Sequence, residues 1–300
     1  MWPGWHPGRV RVQSTDGVTV AVHDLGGAGE PVLLAHATGF HGLVWAPLAR
    51  RLTGAQRPDP KAQERKQSRF HCLAPDLRGH GDSSAPRDGD FHWEGFADDV
   101  LAVIDALDVS PRLGVGHSKG GAALLLAEER RPGTFDALYC YEPVVFPPHP
   151  VEGGPAGNPL SESARRRRDR FPDRDAAYDN YAAKPPFDVL RPDALQAYVD
   201  HGFADDPSGG VVLKAVPEHE ARVYEMGGSH TAWDRLPEVT CPVTIGYGGR
   251  DTVGPAAVAP LVAERLPHGR AERYDDLGHF GPLEDPDRVA DQAAAALTIS

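Results

Sequence analysis

Valine alternates with polar residues at the start of the chain. Residues 9–26, RVRVQSTDGVTVAVHDLG, carry this alternation on both sides of Asp16-Gly17, a pattern that predicts two half-buried strands joined by a tight turn. Next comes a series of short, continuous apolar runs: PVLLAH at 31–36, FHCLAPD at 70–76, LGVGHS at 113–118 and DALYCYEP at 136–143. Runs of this length with no alternation predict strands covered on both faces of a parallel sheet. Helical patterns fall between them. Phe96, Val100, Val103, Ile104 and Leu107 recur at helical spacing, and KGGAALLLAEERR after Leu113–Ser118 reads as a helix stopped by Pro132-Gly133. The polar, basic stretch from Gly54 to Arg69 reads as a surface loop.

This strand–helix rhythm implies βαβ units and a mainly parallel sheet. It breaks at Val144. From there to about Val239 no convincing buried strand is visible. Turns rich in Pro and Gly, a basic run at Arg165 to Arg168 and amphipathic stretches take its place, including DALQAYVDH between Pro192 and Gly202. The rhythm resumes with PVTIGYGGRD at 242–251, a helix over 255–266, AERYDDLGH at 271–279 and a closing helix in DPDRVADQAAAAL. The expected organisation is therefore a core domain of residues 1–143 and 239–300, with a helical cap of 144–238 inserted into it.

Composition adds limits. The 300 residues are 40% hydrophobic and 25% charged, enough for a large packed core without staples. A formal net charge of -12 argues against a nucleic-acid partner. The three cysteines, Cys72, Cys140 and Cys241, lie inside apolar runs at no metal-ligand spacing, so neither a disulfide framework nor a metal site is expected. The N-terminus has no secretory pattern and no apolar run reaches the roughly 20 residues that cross a bilayer. The cytoplasm is the expected location, with no membrane partner.

The chemistry centres on Gly116-His117-Ser118-Lys119-Gly120, a G-x-S-x-G pentapeptide at the junction of a buried strand and a helix. A turn this sharp forces its central residue into a strained backbone conformation and requires small neighbours, and it exposes the serine oxygen at the sheet's carboxyl edge. A serine hydroxyl needs a base to remove its proton, and that base needs an acid to orient it. His279 follows the last strand in DDLGHFGPLEDP, and Asp251 ends TIGYGGRD, in the chain order Ser, Asp, His. Ser118, Asp251 and His279 are the expected catalytic set. Glu142, at the end of the fifth buried run, is the alternative acid. For an oxyanion hole, the backbone amides of Lys119 and Thr38 are expected to converge. His36, Phe40, His117, Phe146 and Trp233 are candidates for the substrate pocket. The aromatic side chains Tyr181, Phe187, Tyr198 and Phe203 either line that pocket or pack the insertion. Lys119 is expected either to meet an anionic or carbonyl-rich substrate or a cap carboxylate, or to pack its stem on the scaffold and snorkel to water. The turn of Asp76, Arg78, His80 and Asp82 is expected to stabilise its loop, and Arg165 to Arg168 to form a solvated helix face.

HATGFHG at 36–42, DLRGHGDSS at 76–84, GHSKGG at 116–121, GGRD at 248–251 and LGHF at 277–280 together resemble the α/β-hydrolase superfamily along nearly the whole chain. The resemblance implies an α/β fold with an eight-stranded, mainly parallel sheet flanked by helices, and a helical cap inserted after the sixth strand. It also implies hydrolysis of an ester, lactone or related carbonyl compound through an acyl-enzyme, without metal or cofactor. The expected substrate is a small, largely apolar molecule with a carbonyl. Two positions depart from the family's usual pattern: His36-Ala37 replaces His-Gly, and Lys119 stands where an apolar residue is common. A serine at the elbow argues against the haloalkane- and epoxide-opening branches. The alternatives are a cofactor-free perhydrolase or haloperoxidase and a non-catalytic binding protein on the same fold.

Overall fold

In the computed structural model, which describes residues 10–54, 69–107, 111–148, 158–227 and 229–298, the apolar runs become the strands of one sheet. The opening hairpin is β1 (Val10–Gln13) and β2 (Thr19–Gly27). Asp16 and Gly17 both have positive φ, 57° and 71°, and the Val18 amide donates to the Thr15 carbonyl at 3.0 Å, as a primed hairpin turn requires. Then come β3 (Glu30–Ala35), α1 (Ala46–Leu52), β4 (Phe70–Asp76), α2 (Trp93–Ala106), β5 (Leu113–His117), α3 (Lys119–Arg130) and β6 (Ala137–Tyr141). The surface loop expected from Gly54 to Arg69 falls mostly outside the described residues.

Between β6 and the next strand of the large sheet the chain forms α4 (Pro159–Arg165), β7 (Arg170–Phe171), α5 (Arg174–Ala182), α6 (Pro192–Gly202), β8 (Phe203–Asp205), β9 (Val211–Leu213), α7 (Pro217–Met226) and α8 (Ala232–Arg235). The last part is β10 (Val243–Gly248), α9 (Pro255–Arg265), β11 (Gly269–Tyr274), α10 (Gly281–Glu284) and α11 (Pro286–Ala296). The inserted segment is not purely helical, because β7, β9 and β8 form a small antiparallel sheet of their own. Strands of two or three residues are too short to show an alternating pattern, so nothing in the sequence marks them.

The large sheet runs β1-β2-β4-β3-β5-β6-β10-β11, with antiparallel pairing only at β1–β2 and β2–β4. Strand faces separate two apolar clusters. Leu33, Ala35, Leu73 and Ile245 pack with α2, α3 and α9, whereas Val32, Leu34, Cys72 and Ala74 pack with α1, α11 and much of the insertion. This is why the central strands are largely apolar on both faces. After β3 the chain first pairs β4 on one side and then crosses back to place β5 on the other. The crevice left at the carboxyl ends of strands where the winding reverses is where such sheets hold ligands. All three cysteines are free and buried, and burial pushes the Cys72 and Cys241 thiols up to about 12.

Among the described residues, no helix is long and apolar enough to cross a membrane.

Candidate active site

Ser118 occupies the turn from β5 into α3 with φ 55° and ψ -117°, a conformation a side-chain-bearing residue adopts only when its surroundings enforce it. The flanking glycines permit it. A Cβ on Gly116 would sit 2.5 Å from the Gly121 Cα, and one on Gly120 would sit 2.1 Å from the Ala35 carbonyl oxygen.

His279 lies in the loop after β11, and its Nε2 is 3.2 Å from the Ser118 Oγ. Its Nδ1 is 2.6 Å from a carboxylate oxygen, and that oxygen belongs to Glu142, not to Asp251. Of the expected set, Ser118 and His279 come together, and Asp251 does not reach the imidazole ring. Glu142 leaves the end of β6 with φ 43° and is fully buried, and its second carboxylate oxygen accepts the Gly248 amide at 2.8 Å. Asp251 is exposed, and its carboxylate accepts the backbone amide of His279 at 2.7 Å. Asp251 therefore holds the loop while Glu142 holds the ring. With a carboxylate accepting from Nδ1–H, the Nε2 lone pair faces the serine hydroxyl. Further bonds fix the same loop: the His117 ring donates to the His279 carbonyl at 2.7 Å, and the Tyr141 hydroxyl donates to that of Gly278 at 2.9 Å.

Thr38 lines the cleft beside Ser118. Neither its amide nor that of Lys119, the first residue of α3, donates to a described acceptor, so both amides are free to bind an oxyanion. The Lys119 side chain contradicts both expectations for it. It is fully buried, its Nζ lies 3.3 Å from each ring nitrogen of His80 and 4.5 Å from the centre of the Phe96 ring, and it does not reach the cleft. Burial drives the amine pKa well below its ordinary value. The His80 Nδ1–H donates to the Arg78 carbonyl at 2.8 Å, leaving Nε2 to accept from the lysine.

His36 is also buried rather than on the cleft wall. Its Nδ1–H donates to the Ala37 carbonyl at 2.7 Å and its Nε2 accepts the Leu77 amide at 3.0 Å, which pins the loop after β3 to the turn after β4. Burial, with Lys119 nearby, holds its pKa well below the usual histidine value. That turn is itself pinned: Asp76 accepts the Gly42 and Asp82 amides at 2.7 and 2.8 Å, and Arg78 meets Asp99 and Asp16. His23, Asp76 and Asp82 bring ligand atoms close enough to hold a cation. The His23 ring and two amides already occupy Asp76, and Lys214 pairs with Asp82 at 2.8 Å, so the cluster reads as part of this scaffold.

The cleft above Ser118 has a volume of about 1150 Å³. Phe40 and Phe146 line it as expected, with Tyr181 and Phe187 from the insertion. Three pocket expectations fail: His36 and His117 are buried beneath the wall, and Trp233 packs against the Arg265 guanidinium away from the opening. Tyr198 and Phe203 pack inside the insertion. Trp93 and Phe280, outside the expected pocket set, also line the cleft.

Known proteins agree with this architecture. A bifunctional esterase/perhydrolase of Acinetobacter calcoaceticus is 27% identical, covering 93% of this chain and 95% of that protein. Lipase 1 of Psychrobacter immobilis is 24% identical over 91% of this chain and 78% of the lipase. The solved structure of E-2-(acetamidomethylene)succinate hydrolase superposes with a TM-score of 0.77 at 21% identity, covering 97% of this chain and 99% of that one. The model of the alpha/beta hydrolase family matches residues 32–292, and the chain belongs to that family.

Proposed function

We propose that this chain is a serine hydrolase that cleaves an ester, lactone or related carbonyl compound through an acyl-enzyme on Ser118. The observation that carries this reading is the continuous line from the Glu142 carboxylate through the His279 imidazole to the Ser118 hydroxyl, at 2.6 and 3.2 Å. In the proposed reaction the Ser118 oxygen attacks the substrate carbonyl as its proton passes to His279 Nε2. The oxyanion formed at the carbonyl oxygen is bound by the Thr38 and Lys119 amides. Collapse expels the alcohol, which takes the proton back from the imidazolium, and leaves the acyl-serine. Water then attacks the acyl group with His279 again accepting the proton, and the acid is released as Ser118 regains its hydrogen. Glu142 orients the ring and stabilises its cationic form. The inserted residues 144–238 act as a cap over the cleft.

Similarity to a bifunctional esterase/perhydrolase, and to a non-heme chloroperoxidase of Streptomyces lividans at 29% identity over 70% of this chain, favours one second reading. In it hydrogen peroxide replaces water as acceptor and the product is a peracid.

The test is labelling with a fluorophosphonate probe and mass mapping of the modified residue, alongside hydrolysis of short-chain nitrophenyl esters. Labelling at Ser118 that disappears in His279→Ala, with ester turnover lost in Ser118→Ala, is the expected result. A folded protein that is neither labelled nor active on any ester overturns the reading. Peroxide-dependent halogenation that exceeds ester hydrolysis selects the second one.

A further inference from the structure

Arg165, Arg166 and Arg168 of the basic run are exposed, and Arg167 is the exception to the solvated face its sequence suggests. Arg165 pairs with Glu218 and Glu225 at 2.9 and 2.7 Å, and Arg166 is 71% exposed. Arg167 turns inward and its side chain is only 12% exposed. One terminal nitrogen donates to Glu220 at 2.6 Å, Nε donates to the Tyr181 hydroxyl at 3.3 Å, and the other terminal nitrogen donates to the Tyr198 hydroxyl. The rings of Tyr181, Phe187 and Tyr198 surround the guanidinium, with centres 5.4, 5.3 and 5.9 Å from its carbon. A guanidinium has five N–H groups. Three are used here, and two have no acceptor among the described residues although Arg167 forms part of the cleft wall.

Its position relative to the chemistry is close. A Cβ placed on Gly39 would lie 3.2 Å from an Arg167 terminal nitrogen and 2.7 Å from a Glu220 carboxylate oxygen. Gly39 directly follows Thr38, the expected oxyanion donor. The surrounding field has the same sense. Arg166, Arg167, Arg168 and Lys184 line the cleft against Glu220 and Glu225, on a chain whose net charge is -12. Glu225 is itself engaged by Arg165. A basic cleft on an acidic protein selects anions at the mouth. A guanidinium fixed by an aromatic sleeve, with two N–H groups left over, can bind a carboxylate that has shed its water in an apolar cleft.

We infer that Arg167 determines specificity, and that the substrate carries a carboxylate beside its scissile carbonyl, bound by the two unfilled N–H groups of Arg167. This inference rests on the hydrolase reading and adds an anionic group to the largely apolar substrate expected from the sequence. Glu220 and the two tyrosines then serve to hold the guanidinium in place, and the apolar wall of Phe40, Phe146 and Phe187 receives the rest of the molecule.

The test uses matched ester pairs. Mono-nitrophenyl succinate and glutarate are compared with nitrophenyl butanoate and pentanoate, which places the carboxylate on the acyl side. Acetyl hydroxybenzoate is compared with acetyl hydroxybenzamide, which places it on the leaving group. The variants are Arg167→Met and the double variant Arg167→Met/Glu220→Gln, which avoids leaving a buried carboxylate unpartnered. In at least one pair the wild type is expected to favour the acid by about tenfold or more in kcat/KM, the scale of one charge-assisted contact. The double variant should bring that ratio to about one. A preference for the neutral ester in both pairs, or an acid preference that survives in the double variant, overturns the inference. Calorimetric titration with succinate and glutarate separates this failure from failure of the hydrolase reading. Binding by wild type that is lost in the double variant supports the Arg167 site even if no ester is turned over, and absent or unchanged binding counts against it.

Discussion

Glu142 and Asp251 make an instructive pair. Both are acids near the carboxyl ends of neighbouring parallel strands, β6 and β10, and both hydrogen-bond to His279. Their surroundings differ. Glu142 is buried, with a strained backbone and both carboxylate oxygens engaged, whereas Asp251 is exposed and reaches only the histidine's backbone amide. The buried acid meets the imidazole in a low-dielectric setting where its charge is felt strongly, and the exposed one meets a backbone group in solvent. Position along the chain assigns the same role to both, and burial with reach separates them.

The largest effect is expected from breaking the ring's partner. Glu142→Gln keeps the volume and an oxygen for the Gly248 amide but removes the charge that fixes the imidazole tautomer. kcat on a nitrophenyl ester should fall by about 10³ to 10⁴-fold, the scale for losing the acid of such a set. Asp251→Asn, which can still accept the His279 amide, should stay within a few-fold of wild type. The reverse order of losses would return Asp251 to the ring.

The next effect concerns the histidines that the fold buries. Burial lowers the pKa of His41 to about 4 and drives those of His36, His80 and His117 well below the ordinary histidine value. In each case the folded state binds a proton less readily than the unfolded chain does. As pH falls from the ordinary histidine pKa of about 6.5 toward 4, the unfolded state takes up protons that the folded state refuses, and stability is lost. For His41 alone the slope approaches 1.4 kcal/mol per pH unit within that window. Thermal melts at pH 7.5 and pH 5 should show a clear fall in Tm. A flat profile would mean that these rings accept protons in place.

A smaller effect sharpens the Asp251 side. Asp251→Ala removes the acceptor for the His279 amide and should cost about 1 kcal/mol in denaturant unfolding, with loss of activity well short of that in Glu142→Gln. The smallest effect is expected at Lys119. Lys119→Met removes a desolvated amine and leaves the His80 Nε2 without its donor, two changes of opposite sign. The substitution leaves untouched the backbone amide proposed to bind the oxyanion, so activity should change by less than about threefold. A large loss would show that the side chain acts in the reaction.

Much of the fold can be read from the sequence because its central strands are short, largely apolar runs and several of its helices are bracketed by Pro and Gly. FHCLAPD and β4 coincide, and the hairpin turn lies at Asp16-Gly17. The site is legible where local geometry dictates residue type, as at Gly116, Ser118 and Gly120. It is not legible where the partner lies far along the chain. Nothing near Lys119 announces His80, 39 residues earlier, and nothing near Arg167 announces Glu220, 53 residues later. One signal for Glu142 was present: a charged residue ending an otherwise apolar buried run is costly unless something partners it.

The three buried thiols also give the protein a clock. Cys72 and Cys140 lie in strands of the central sheet, Cys241 lies at the entry to β10, and none is exposed in the folded state. A thiol reagent can reach them only when their part of the sheet opens, so the labelling rate of the native protein measures how often that happens. Mass spectrometry that resolves the three sites would time the opening of both halves of the sheet in one experiment, with no label introduced.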